Sequence, residues 1–166
     1  MDVFDRVTRS RNMSAIRGTD TKPEVALRRA LHALGYRFRL HRRDLPGRPD
    51  IVLPGRCIAI FVHGCYWHRH LSCRFATTPS TRTEFWFRKF EANVARDVRN
   101  QRELRELGWH VAKIWECQIR KNEAENTVRA LSAWIEEPDG DFELPPPPNA
   151  RREISPAAGF SDTQLG

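Results

Sequence analysis

Apolar residues recur along this chain in two rhythms, and the rhythm changes at glycine and proline. Leu27, Leu31 and Leu34 follow one another at helical spacing behind Thr21-Lys-Pro-Glu24, a capping-box sequence with an early proline, and Gly35 supplies the stop. This predicts a helix over 21–34. Tyr36, Phe38 and Leu40 then alternate with Arg37, Arg39 and His41, the two-residue period of a strand with one apolar face. A turn at Pro46-Gly-Arg-Pro49 leads through Asp50 into Ile51-Val-Leu53. Pro54-Gly55 turns the chain again into Cys57-Ile-Ala-Ile-Phe-Val62, an apolar run of the kind buried strands show. The two runs are predicted to pair as a hairpin.

Further along, Phe87, Phe90, Val94 and Val98 mark an amphipathic helix that continues through Leu104 and Leu107 to Gly108. Val111-Ala-Lys-Ile-Trp115 predicts another strand, and Glu123 to Glu136 another helix. Elements in the order α, β, β, β, α, β, α predict an α/β fold, a mixed sheet with helices packed on it. Residues 1–18 are polar and carry Arg6, Arg9, Arg11 and Arg17, the composition of a basic arm. Residues 138–166, with Pro145 to Pro148 and later Ser, Gly and Gln, are predicted to form a disordered tail. That leaves 19–137 as one domain, in a chain of 166 residues that is long enough to bury a core without help from metal.

Between the apolar strand and the amphipathic helix, composition gives way to chemistry. His63-Gly-Cys-Tyr-Trp-His-Arg-His-Leu-Ser-Cys73 holds three histidines, two cysteines and two adjacent aromatics in eleven residues. Structural zinc asks for four Cys or His ligands in a tetrahedron, and Cys65, His70, Cys73 and Cys117 supply Cys3His. Cys117 would arrive from the end of the last strand and tie the loop to the sheet. The spacing is not a standard C-x2-C pair, so buried thiols acting as small hydrophobes remain the alternative. Cys57, between Arg56 and Ile58 in a strand, is assigned to the core.

His63 and His68 fall outside that set. A lone histidine is more often a satisfied polar residue than a catalyst, but two of them near an acidic strand end suit proton transfer near neutral pH. Asp50, between a Pro-rich turn and an apolar strand, can project its carboxylate at a sheet edge, where a hard cation such as Mg2+ needs only one or two carboxylates, strand carbonyls and phosphate. An ordinary strand-entry aspartate is the alternative. Glu24 divides evenly between a capping role and a carboxylate acting on a cation's water shell.

Charge narrows the partner. Residues 1–137 hold 26 of the 28 Lys+Arg and 16 of the 21 Asp+Glu, a net +10, whereas 138–166 carry −3. Such a surplus fits a polyanion, whose condensed counterions are released by Lys and Arg, although a solvated basic surface has the same composition. Four cysteines and no apolar signal segment point to a reducing compartment, with the cytoplasm as the default. No apolar run approaches the ~20 residues of a membrane span.

Taken in order, these stretches resemble the very short patch repair (Vsr) DNA mismatch endonucleases. The resemblance rests on Arg9-Ser-Arg-Asn-Met13, Leu45-Pro-Gly-Arg-Pro-Asp50, Phe61-Val-His-Gly-Cys-Tyr-Trp-His68, Thr81-Arg-Thr-Glu-Phe-Trp86, Asn93-Val-Ala-Arg-Asp97, and Leu107-Gly-Trp109 followed by Trp115-Glu-Cys117. It implies a restriction-endonuclease-like mixed β-sheet flanked by helices, with a structural zinc site. It also implies Mg2+-dependent nicking of the thymine strand beside a T:G mismatch left by deamination of 5-methylcytosine. A cytosine-5 methyltransferase is then the functional companion, the partner is double-stranded DNA, a monomer suffices, and the protein is nucleoid-associated when bound.

By the same resemblance Asp50 is the central Mg2+ ligand, assisted by the Val62 carbonyl. His68 transfers the proton, His63 assists at the phosphate, and Glu24 and Asp97 act through the cation's water shell or by orienting a histidine. Cys65, His70, Cys73 and Cys117 hold zinc, and Tyr66, Trp67 and Trp86 are the wedge inserted between base steps, where planar side chains replace lost stacking. Val62 stands where some members have a hydroxyl residue, and Tyr66 replaces the commoner Phe, so its hydroxyl must find water or a polar partner when inserted. Trp109, Trp115 and Trp134 are assigned to the core. Two other functions fit parts of the pattern: a restriction-type nuclease acting on paired DNA, and a noncatalytic zinc-stabilised DNA-binding module, which leaves Asp50, His63 and His68 without a role.

Overall fold

The computed structural model describes residues 18–120 and 124–146. Helix α1 (Lys22–Ala33) starts where the sequence places its cap. The Thr21 hydroxyl accepts from the Glu24 N–H at 3.5 Å, and the Glu24 carboxylate turns back to accept from the Thr21 hydroxyl at 2.8 Å and the Asp20 N–H at 2.9 Å. These bonds satisfy donors that a helix start would otherwise leave open. The helix closes at Leu34, ahead of Gly35 at φ +92°, and Leu34 is exposed, so the apolar stripe is Leu27 and Leu31 alone.

Strands β1 (Arg39–Leu40), β2 (Ile51–Leu53) and β3 (Ile58–His63) are antiparallel neighbours, with Ile51 opposite Ile60 in the predicted hairpin. Strand β4 (His110–Trp115) lies parallel to β3, with Val62 opposite Ile114. The expected strand over 36–40 shortens to two residues, because Tyr36 and Phe38 pack on the core from irregular backbone instead of joining the ladder. Cys57 is corrected as well. Pro54–Arg56 forms a 3-10 turn, and Cys57 ends it exposed, at φ +51°, outside the strand core.

Parallel strands need a crossover, and helix α2 (Thr83–Glu106) provides the one from β3 to β4. Its buried contacts are Phe90 and Leu104; Phe87, Val94 and Val98, expected on its core face, are exposed. The sheet covers only part of the helix, so a stripe counted from spacing overestimates what is buried. After β4 come helices α3 (Glu116–Ile119) and α4 (Ala124–Glu136), then strand β5 (Phe142–Leu144), parallel to β4. Strand β5 falls inside the stretch predicted to be a disordered tail from 138. Main-chain pairing with β4 orders it, and a three-residue strand flanked by proline leaves almost no periodic signal. The parts of the predicted arm and tail at 1–17 and 147–166 lie outside the described residues.

The sheet order is β1-β2-β3-β4-β5. Alternation sorts its side chains onto two faces. Ile58, Ile60, Ala112 and Ile114 pack against Leu27 and Leu31 of α1 and Leu131 and Ile135 of α4, while Ala59, Phe61 and Val111 pack on the other side with Leu104 of α2. The result is a mixed sheet flanked by helices. No described helix is long and apolar enough to cross a membrane.

Candidate active site and metal centre

The period of two that fills the core also builds the site. Phe61 is followed on its face by His63, and on the neighbouring strand Lys113 is followed by Trp115, so the C-terminal ends of β3 and β4 bring polar groups out beside the apolar layer. At the N-terminal end of β2, Asp50 meets them. Its Oδ2 accepts from the Val62 N–H at 2.7 Å, which fixes the carboxylate against the edge of β3. The turn before it is forced by close packing: Gly47 has φ +72°, and a Cβ there would lie 2.9 Å from Asn100 of α2. Only glycine fits both conditions.

Burial pushes the Asp50 carboxyl up to about 7, with the Val62 N–H opposing and the nearby Glu24 carboxylate adding to the rise. Glu24 has the capping role and also a place beside Asp50. It completes the α1 cap and, almost fully buried, lines the same cleft as Asp50. That cleft, of about 680 Å3, also takes in Val62, His63, Tyr66, Trp67, His68 and Asp97.

His63 is buried and stacks on His68 with ring centroids 4.0 Å apart. Its burial, with His68 and Lys113 nearby, holds its imidazole neutral well below the usual histidine range. His68 Nδ1 lies 2.5 Å from Asp97 Oδ2 on α2. A carboxylate on Nδ1 fixes the ring and leaves Nε2 as the nitrogen for proton transfer.

Cys65, His70, Cys73 and Cys117 converge, with all four ligand atoms within 4.8 Å of one another. His70 Nδ1 is 3.5 Å from Cys65 Sγ and 3.4 Å from Cys117 Sγ. A tetrahedron with Zn–S near 2.3 Å and Zn–N near 2.0 Å has edges of about 3.5–3.8 Å, so this donor set fits zinc. Burial pushes the Cys65 and Cys117 thiols up, and it pushes His70 down towards the neutral form that ligation requires. The ring of His70 stacks on Trp115 at 4.3 Å, and Trp115 Nε1–H donates to Glu143 of β5 at 2.9 Å.

Tyr66, Trp67 and Trp86 also meet. Tyr66 stands 5.0 Å from Trp67 and 6.1 Å from Trp86, all three half-buried, with Phe90 beneath. Lys89 Nζ lies 5.2 Å from the Trp67 ring and 5.6 Å from that of Trp86. Trp115 is buried and Trp109 and Trp134 pack on the two core clusters.

Four polar residues in or around this region were not singled out from the sequence. His41 faces Asp50, the Glu116 carboxylate accepts from the Cys65 N–H at 3.1 Å, and Glu143 pairs with Lys113 at 2.8 Å. Only His41 had a usable signal, because the alternation of 36–41 runs on to a position opposite Asp50. Glu116, Lys113 and Glu143 acquire their partners through strand order.

A carboxylate at a strand edge, an imidazole pair and an imidazole–carboxylate couple in one open cleft are the groups used in metal-assisted phosphodiester hydrolysis. Residues 1–74 match the family described as DNA mismatch endonuclease Vsr. The DNA mismatch endonuclease Vsr of Escherichia coli (strain K12) is 46% identical over 137 residues, 81% of this chain and 87% of that protein. The Type II nicking enzyme V.XorIIP of Xanthomonas oryzae pv. oryzae is 51% identical over 107 residues, 64% of this chain and 78% of that enzyme. Among solved structures, the catalytic domain of homing endonuclease I-Bth0305I aligns with 72% of this chain and 100% of its own at 18% identity and TM-score 0.49. The chain belongs to the Vsr family of DNA mismatch endonucleases.

Proposed function

We propose that this protein nicks the thymine strand beside a T:G mismatch, on a restriction-endonuclease-like fold with one catalytic Mg2+ and one structural Zn2+. The observation that carries the reading is the meeting of Asp50, His63, His68 and Asp97 in one cleft beside the Tyr66–Trp67–Trp86 cluster. Family membership supports the substrate. The mismatch arises from deaminated 5-methylcytosine, so the working companion is a cytosine-5 methyltransferase, and a monomer acting in the cytoplasm on the chromosome suffices for a cut in one strand.

Asp50 and the Val62 carbonyl would hold Mg2+, which supplies positive charge to stabilise the phosphate as negative charge builds up on it. His68, braced by Asp97, takes the proton from the attacking water through Nε2. His63, kept neutral by burial, packs against His68 and would assist at the phosphate. Glu24 presents its carboxylate next to Asp50 from the helix cap. The Cys3His set would pin the loop between β3 and α2, and so would fix His68, Tyr66 and Trp67.

Strand-resolved cleavage of T:A and T:G duplexes with randomised flanking bases, with and without Mg2+, tests the whole. Nicking of the thymine strand at T:G only, dependent on Mg2+ and on Asp50, is the expected result. Cleavage of paired DNA would replace this reading with a restriction-type nuclease, and no cleavage by zinc-replete protein would replace it with a binding module.

Two further results are expected of the same site. With Asp50 at about 7, the cation competes with a proton below that pH. Half-saturating Mg2+ should therefore be flat above pH 7 and rise about tenfold per unit below it. A flat profile down to pH 5 would remove Asp50 as the ligand. Trp67→Ala should weaken binding to T:G duplex by about tenfold, since each base–aromatic stack is worth roughly 1–3 kcal/mol, with little change for T:A. Equal losses on both duplexes in a binding titration would remove the wedge role.

A further inference from the structure

His41 stands one residue past β1 at φ +49°, with its N–H donating to the Asp50 carbonyl at 3.4 Å. That last backbone bond turns its ring into the gap between the sheet edge and the start of α1. Nδ1 lies 3.8 Å from Asp50 Oδ1, and Nε2 lies 3.6 Å from Asp20 Oδ1 and 4.0 Å from Glu24 Oε2. Both ring nitrogens are shielded from solvent and neither makes a hydrogen bond. Leaving a buried polar atom unpaired costs about 1–3 kcal/mol, and native structures rarely do so. The carboxylate oxygens around this ring are each within about 1 Å of bonding distance.

The surrounding oxygens are unequally engaged. Asp50 Oδ2 is committed to the Val62 N–H, which leaves Oδ1 facing His41. Glu24 is tied to the helix cap by Thr21 and the Asp20 N–H, and Asp20 is paired with Arg28 at 2.6 Å. His41 therefore lies between a carboxylate anchored on the sheet and carboxylates anchored at the start of the helix. Asp20, Glu24 and His41 bring ligand atoms within 4.8 Å of one another, but the cap and Arg28 already occupy the two acids, which suits a brace better than a second cation site.

We infer that His41 is a positioning residue whose ring stands between Asp50 Oδ1 and the Glu24–Asp20 pair and sets the direction in which Asp50 meets its cation. The inference rests on the proposed role of Asp50 as the Mg2+ ligand. What it requires of position 41 is one N–H donor of this size directed at Asp50 Oδ1, so a neutral amide can substitute and an apolar side chain cannot.

The test compares wild type, Asp50→Asn, His41→Leu and His41→Gln as full-length, zinc-replete proteins. Mn2+ binding is measured by calorimetry without DNA at pH 8, kcat and half-saturating Mg2+ are measured for nicking of a T:G duplex, and thermal melting is followed for each. Leu and Gln have similar volume and meet the same backbone conformation, so folding is controlled between them. His41→Leu is expected to melt no lower than wild type yet to weaken Mn2+ binding and raise half-saturating Mg2+ by about tenfold or more, the usual effect of losing a group that orients a metal ligand. At saturating Mg2+ its kcat should stay within about threefold of wild type, and His41→Gln should recover most of the metal affinity. Unchanged Mn2+ affinity in His41→Leu, or failure of Gln to do better than Leu, overturns the inference. Equal Mn2+ binding by wild type and Asp50→Asn instead overturns the ligand role of Asp50, and that outcome is separate from any effect at His41.

Discussion

Asp50→Asn should abolish nicking and, in the absence of divalent metal, make the protein harder to unfold. The amide keeps the shape of the side chain, and its carbonyl can still accept from the Val62 N–H that holds Asp50 Oδ2 at 2.7 Å. What disappears is a negative charge in a buried place beside Glu24. The carboxyl titrates at about 7 in the folded protein, against an ordinary value of 3.8. Between those two values the folded state binds a proton that the unfolded state has released. Stability therefore falls as pH rises through that window, and above pH 7 the full cost is present. For a shift of this size the cost is of the order of 2–4 kcal/mol. At pH 8 without metal, Asp50→Asn should melt about 4 °C or more above wild type, and the two should converge near pH 4. Saturating Mg2+ should recover the difference for wild type alone, because a ligand that binds only the folded state stabilises it by mass action. Loss of nicking by at least about a thousandfold is expected alongside, in line with removal of a principal electrostatic contributor. A variant that melts below wild type at pH 8 would mean that the carboxylate is paired and structural.

Cys117→Ser should separate the second metal from the first. Cys117 reaches the cluster from the first turn after β4, whereas Cys65, His70 and Cys73 all sit on the loop that follows β3. Without its thiolate the set falls to three ligands, and bound zinc measured by atomic absorption should drop from one equivalent to near zero. The two core clusters contain none of the ligands, so the sheet and its helices should persist in far-ultraviolet circular dichroism. The loop should not persist as it is. Arg69 and Arg74 should become tryptic sites, and nicking should fall with them, because Tyr66, Trp67 and His68 depend on the same loop. A loss of about 10 °C in melting temperature is expected, corresponding to some 3–5 kcal/mol in a chain of this length. Full retention of zinc by the variant would show that Cys117 is not a ligand.

Legibility differed from one part of the chain to another for physical reasons. The α1 cap, the β2–β3 hairpin and the crossover helix followed from local rules of capping, alternation and amphipathic spacing, and the observed boundaries of α1 and β2 lie within a residue or so of those rules. Spacing failed where burial depends on what covers a face. Val94 and Val98 repeat at helical intervals but look out into a cleft, and Cys57 sits in a turn one residue longer than the proline and glycine suggested. Strand β5 escaped because three residues beside a proline run carry no period to detect; parallel pairing with β4 makes it a strand.

The sequence alone determined the inventory of this protein: one mixed sheet with helices, four residues of the Cys and His types that suit a soft metal, an aspartate at a strand edge, two histidines and three aromatics in a family-specific order. Its local rules do not extend to distance. That Asp97 of α2 braces His68, that Glu24 of α1 and His41 just past β1 close around Asp50, and that Trp115 backs His70 from the next strand were decided by tertiary structure. The reason is that each of these contacts joins side chains from different elements, whose separation is fixed by how the layers pack and by the order of strands in the sheet.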